Sequence, residues 1–218
     1  MLLKSDNLNQ SQARAAEEAS VLKADHVTFG YPGKPALYSD FTLEVHSGER
    51  VALQAPSGWG KTTLCRLLAG YEQPSSGQIL LDNQALPRKG ASPVQLILQH
   101  PELALDPRMR MEQSLREAGE PTPELLDLLG TQQRWLSRFP HELSGGELQR
   151  FCIARALMAN PKFLIADEIS TMLDALTQAQ IWQALLALVQ ERNIGLIFVS
   201  HSPALTSRLA TRVVKLGE

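Results

Sequence analysis

Apolar residues in this chain come in short runs set apart by turn-forming clusters, and the period of each run suggests its element. Residues 21–31, rich in β-branched and aromatic side chains, predict a strand, and the alternation over 41–46 predicts a second. After a Ser-Gly-Glu turn, 50–55 reads as a short apolar strand and 62–71 as a helix. A turn and strand follow within 73–86, and another apolar strand over 93–100. Residues 100–143 change character. They hold no strong strand, are broken at Pro107, Pro121 and Pro123, and carry helical patches such as 123–130, which together predict a small helical insertion. Beyond it, 145–159 is an amphipathic helix, 162–168 a buried strand running into two acids, and 176–193 a long helix. A strand over 194–202, a helix over 203–210 and a strand over 211–216 complete the pattern. Apolar strands alternating with helices predict an α/β fold with a largely parallel core sheet.

Composition changes this picture little. The 218 residues suit one large domain, 44% hydrophobic and 20% charged. A formal charge of -2 supplies no basic field for nucleic acid, so no nucleic-acid partner is expected. Cys65 and Cys152 form no metal or disulfide spacing and are expected as small buried apolar residues in a reduced setting. No apolar run reaches the length of a membrane span. The polar stretch 1–20 lacks a signal-peptide core and is expected as a disordered or fraying leader.

Candidate chemistry starts at 55–62, Ala-Pro-Ser-Gly-Trp-Gly-Lys-Thr, which lies between a predicted strand and a predicted helix. That context and the Gly60-Lys61-Thr62 ending match a phosphate-binding loop, although its usual first glycine is Ala55. Gly58 and Gly60 allow close backbone approach to phosphate, Lys61 would reach the β- and γ-phosphates, and the Thr62 hydroxyl would face Mg²⁺. Alanine suits the first position only if its φ is negative, which is the expectation. On its own, a Gly-Lys-Thr triplet also fits a plain turn. The strand 163–167 delivers Asp167 to its C-terminal end, where ligands sit in open parallel sheets, with Glu168 next. Asp167 is expected to hold Mg²⁺ and Glu168 to polarise an attacking water, and adjacent acids at a strand end can equally be a solvated turn. Ser144-Gly145-Gly146 before an amphipathic helix is a helix cap with exposed amides, hence a second anion-binding terminus or simply a helix start.

The stretch 143–150, Leu-Ser-Gly-Gly-Glu-Leu-Gln-Arg, resembles the signature motif of ATP-binding cassette (ABC) ATPases. Other elements resemble that family in order along residues 21–217. Tyr31 is similar to its adenine-stacking aromatic, Gln99 to the glutamine that meets Mg²⁺ and the attacking water, and His201 to its switch histidine. Residues 169–174 resemble the loop crossing a dimer interface, with Asp174 as its aspartate, although Ile169-Ser170-Thr171 stands where the family has Pro-Thr-Ser. The resemblance implies a P-loop NTPase fold with a mostly parallel sheet, an antiparallel β subdomain and a helical subdomain inserted over about 100–155, all within one domain, 21–218. It implies ATP bound by Tyr31, Ser57, Gly58, Trp59, Gly60, Lys61, Thr62 and Thr63, with Mg²⁺ at Thr62, Gln99 and Asp167. Catalysis falls to Glu168, His201 and Gln99. Ser144, Gly145, Gly146 and Glu147 would contact ATP held by a second ATPase subunit.

Residues 105–109 and 139–142 look most like the peptide and nickel importer branch. This implies permease subunits as partners, a solute-binding protein reached through them, and a peripheral place on the cytoplasmic face of the membrane. The alternatives are an ABC ATPase of DNA repair or translation and a subunit that binds ATP without hydrolysing it.

Overall fold

The computed structural model describes residues 19–171 and 173–217. The leader expected over 1–20 therefore lies outside the described residues, apart from Ala19 and Ser20.

Four short strands without a charged residue in their middles pair edge to edge at the centre. They are β3 (Arg50–Gln54), β6 (Val94–Ile97), β7 (Phe163–Asp167) and β8 (Gly195–Val199). With β9 (Arg212–Lys215) they form a five-stranded sheet in the order β6-β7-β8-β3-β9, parallel throughout. β7 and β8 are buried along their whole lengths, as expected for strands covered on both faces. Successive side chains point to opposite faces, so each strand feeds two cores. Ala52, Leu164, Ala166, Leu196 and Phe198 enter one core, and Val51, Leu53, Phe163, Ile165, Ile197 and Val199 the other.

The second core is closed by helix α1 (Lys61–Leu68) and by an antiparallel sheet in the order β2-β1-β4-β5. That sheet is built from β1 (Val21–Phe29), β2 (Tyr38–His46), β4 (Ser76–Leu81) and the two-residue β5 (Gln84–Ala85). The observed β2 begins before the alternating 41–46 segment because Tyr38 pairs with Phe29 across the ladder.

The first core is closed by the segment between β6 and the long helix α4 (Gly145–Met158), and by α5 (Ala175–Glu191). That segment holds two short helices, α2 (Met111–Arg116) and α3 (Pro123–Leu128), and 3-10 turns at 101–103, 133–135 and 140–142. Pro123 sits in the first turn of α3, where its missing N–H costs nothing, and Thr122 caps it. α6 (Pro203–Leu209) leads into β9. Both cysteines are free and buried. Burial pushes the Cys152 thiol up to about 12 and that of Cys65 well above its usual value, so both remain inert apolar groups.

Candidate functional site: the carboxyl edge of the parallel sheet

Parallel neighbours end on the same side. The order β6-β7-β8-β3 therefore brings Gln99, Asp167 with Glu168, His201 and the loop 55–60 to one edge.

The loop is shaped by left-handed turns that only glycine adopts cheaply. Gly58 has φ 83° and Gly60 φ 81°, and a Cβ at Gly58 would meet open space. Ala55 is not among the positive-φ residues, as expected, and its methyl packs on the second core. Gly60 caps α1 without any side-chain hydrogen bond, leaving the first-turn amides, the positive end of the helix dipole, without a side-chain cap. The Lys61 ammonium folds back on the loop, donating to Ala55 O at 2.9 Å and Pro56 O at 3.2 Å. The Tyr31 hydroxyl lies 3.2 Å from Thr63 Oγ1, and its ring stands edge-on to Phe29, which sets an exposed aromatic beside the loop. Half of Trp59 is exposed, and its ring covers Gly217, where a Cβ would collide with it.

Asp167 is 2% exposed at the end of β7. Burial pushes its carboxyl above the usual range, against a hydrogen bond from Thr62 that pulls it down. Its Oδ1 is buried without a hydrogen-bond partner. A polar atom so placed is costly unless something outside the chain satisfies it.

Glu168 takes φ 51°, a left-handed backbone that costs a non-glycine residue about 1 kcal/mol or more. The turn aims its carboxylate between two strand ends. Oε2 accepts from Gln99 Nε2 at 3.0 Å, and Oε1 lies 2.7 Å from His201 Nε2. The three predicted catalytic residues thus form one cluster. Thr171, not anticipated from sequence, joins it. Its hydroxyl donates to Glu168 O at 3.2 Å and lies 3.5 Å from Gln99 Nε2. The one sequence signal was a hydroxyl three residues after the acid. Ser170, beside it, is buried and accepts from Gln178 Nε2 and Trp182 Nε1, so it anchors the loop to α5.

The remaining predicted residues stand apart. Ser144 caps α4 in a reciprocal box with Glu147: Ser144 Oγ accepts from Glu147 N at 3.3 Å, and Glu147 Oε2 from Ser144 N at 2.8 Å. A Cβ at Gly145 would meet nothing, whereas one at Gly146 would press on Leu173. Asp174 caps α5, accepting from Leu176 N, Thr177 N and the Thr177 hydroxyl, and these donors hold its carboxyl below the usual range. Among the described residues no hydrogen bond joins Ser144, Glu147 or Asp174 to the loop 55–63.

Residues 38–171 match the ABC transporter family. The chain belongs to that family. It is 35% identical to the glutathione import ATP-binding protein GsiA of Pectobacterium atrosepticum, over 95% of this chain and 38% of that protein. It is 34% identical to the nickel import system ATP-binding protein NikE of Staphylococcus aureus, over 91% of this chain and 87% of that protein. So the ABC chain spans well under half of the first relative's length and most of the second's. The fold matches the structure of an ATP-binding subunit of an ABC transporter with a TM-score of 0.77 at 26% identity, over 90% of this chain and 85% of that one. It also matches a dimeric ATP-binding cassette in a post-hydrolysis state bound to ADP and phosphate, TM-score 0.77 at 24% identity, over 89% and 94% of the two chains. As in those folds, a parallel sheet, an antiparallel sheet and helices are combined.

Proposed function

We propose that this chain is the ATP-binding and ATP-hydrolysing subunit of an importer for a small solute, either nickel or another metal complex, or a peptide. The observation that carries the proposal is the Gln99–Glu168–His201 cluster set on strand ends beside a glycine-rich loop. A subunit that only binds ATP would have no need of a strained acid placed between two polar partners.

The loop amides and the α1 N-terminus take the phosphates, and Lys61 leaves the loop carbonyls to meet the β- and γ-phosphates. The Tyr31 ring offers a stacking face for adenine. Mg²⁺ suits the orphaned Asp167 Oδ1 and the neighbouring Thr62 hydroxyl, with Gln99 near the γ-phosphate side. When bound, Mg²⁺ supplies charge neutralisation on the phosphate oxygens. Glu168 Oε accepts the proton of the attacking water, Gln99 Nε2 holds that carboxylate in line, and His201 leaves Glu168 Oε1 to donate from Nε2 toward the γ-phosphate.

Ser144, Gly145, Gly146 and Glu147 make no hydrogen bond to their own phosphate loop, so they are free to cap the nucleotide of a second ATPase subunit in a head-to-tail dimer, with Asp174 at the seam. ATP would then hold the dimer closed through two helix N-termini, and hydrolysis would release it. Among the described residues no helix is long and apolar enough to cross a membrane. A groove of about 1310 Å³ between α1, β6 and the α2–α4 region exposes Tyr71 and Leu103, at 69% and 71%, and supports docking of a permease segment at the cytoplasmic face.

The test is phosphate release from MgATP by the purified chain, alone, with DNA, and reconstituted in vesicles with its permease. Stimulation by nickel or glutathione in vesicles is expected. Absence of hydrolysis in every arm, or stimulation by DNA alone, would overturn the proposal.

A further inference from the structure

The loop 55–60 turns left-handed at Gly58 and Gly60, so contacts from outside it bear on its shape. Lys61 ties down one end through Ala55 O and Pro56 O. The other end is held from below by Tyr38, the first residue of β2. Tyr38 is 6% exposed, and its ring packs on Phe41 at 5.3 Å. Its hydroxyl forks, donating to Gly60 O at 2.9 Å and Trp59 O at 3.3 Å. Burial pushes this phenol far above its usual range, so it stays a donor at any physiological pH.

The direction of these bonds matters. In a trans peptide the N–H points opposite to the C=O. Turning the Trp59 and Gly60 carbonyls inward therefore turns the Gly60 and Lys61 amides outward, to the side where phosphate would lie. Gly60 O is shared with Leu64 N, the first hydrogen bond of α1, so the same hydroxyl also seats the start of the helix. The fit is close: a Cβ at Gly60 would come 3.1 Å from Tyr38 Oη. Lys61 cannot serve both ends of the event. Once its ammonium turns to a phosphate chain, it abandons the loop carbonyls, and among the described residues Tyr38 is the side-chain donor to them that remains.

We propose that Tyr38 is a positioning residue for the phosphate-binding loop: its hydroxyl holds the Trp59 and Gly60 carbonyls inward and so presents the Gly60 and Lys61 amides to the phosphates of a nucleotide. The inference rests on the reading of this loop as the ATP site. Because the loop grips phosphate in ground and transition states alike, the contribution belongs to binding rather than to the chemical step.

The experiment is Tyr38→Phe, which keeps the ring in the core and deletes only the hydroxyl, with Tyr38→Leu as a second variant. Equilibrium affinity for MgATP and MgADP, KM, kcat and the thermal midpoint of the nucleotide-free chain are measured for each. Loss of one net hydrogen bond predicts a Kd and KM raised about five- to tenfold for both nucleotides, with kcat within about twofold. Wild-type affinity in Tyr38→Phe would overturn the inference, even if the thermal midpoint fell, since the hydroxyl would then be only structural. So would a loss confined to kcat. A wild-type chain without nucleotide affinity would overturn the ATP-site reading itself, and the inference with it.

Discussion

Replacing Glu168 by Gln separates binding from turnover, and the structure says how much of the site should survive. The substitution keeps shape and the left-handed backbone, so the strain of φ 51° is retained. One side-chain oxygen stays an acceptor for Gln99 Nε2, at 3.0 Å in the parent. The other becomes an NH₂ facing His201 Nε2 across 2.7 Å. His201 can meet that donor by placing its proton on Nδ1 and accepting at Nε2, so the cluster is rearranged rather than broken. The expected cost is the difference between a charge-assisted and a neutral hydrogen bond, about 1 kcal/mol of folding stability. The phosphate loop, Lys61 and Asp167 are untouched, so MgATP affinity should hold within about threefold. Turnover should fall far more, because an amide cannot accept the water proton. Loss of a general base is worth roughly 10²–10⁴ in rate. The assay pairs steady-state phosphate release with equilibrium binding on the same preparation. Turnover within about twofold of the parent, with binding intact, would refute the role given to Glu168.

Three further outcomes follow from the same geometry. Lys61→Ala should weaken MgATP affinity by about tenfold or more, measured by titration, because it removes the ammonium that the loop itself carries. Asp167→Asn should stabilise the nucleotide-free chain at neutral pH while weakening Mg²⁺-dependent nucleotide binding. The folded carboxyl has a raised pKa, so its protonated form is favoured below that value and stability is lost as pH rises through it. The advantage of the variant in thermal midpoint should therefore grow from about pH 4 upward. Ala55→Gly restores the usual loop spelling, yet it should leave ATP affinity unchanged. Ala55 already has negative φ, so the added backbone freedom should lower folding stability by about 0.5–1 kcal/mol, read by chemical denaturation.

The legibility of the chain follows the range of the forces involved. Strands buried on both faces announce themselves by continuous apolar runs. Hence 162–168 and 194–202 could be placed from sequence, and the residues at their ends with them. Asp167 and Glu168 were readable because a buried strand of a parallel sheet delivers its C-terminus to the ligand edge, whereas Gln99 and His201 were singled out by resemblance to the ABC family and the sheet order then places them at the same edge. The two-residue β5 was not readable, since two hydrogen-bonded partners leave no period to detect. Tyr38 was missed for a related reason. In the sequence it is an aromatic before a strand. Its hydroxyl acquires a role only when β2 folds under a loop more than twenty residues away. The strained φ of Glu168 was equally invisible, because nothing in Ala-Asp-Glu-Ile requires a left-handed turn.

That strain bears on the whole site. A glutamate held at positive φ, an aspartate oxygen buried without a partner and a lysine bonded to its own loop are all unfavourable or makeshift arrangements in the isolated chain. On the proposed reading, a phosphate chain would take the lysine, its cation would take the aspartate oxygen, and the strained turn would hold the Glu168 carboxylate ready for water. The helix after Ser144, with its capping box complete and open space at Gly145, has no such deficit. On that reading the chain would carry its half of a nucleotide cage under tension and the other half at rest. That is the distribution expected if nucleotide binds first to the strained half and the resting half closes over it from a second subunit.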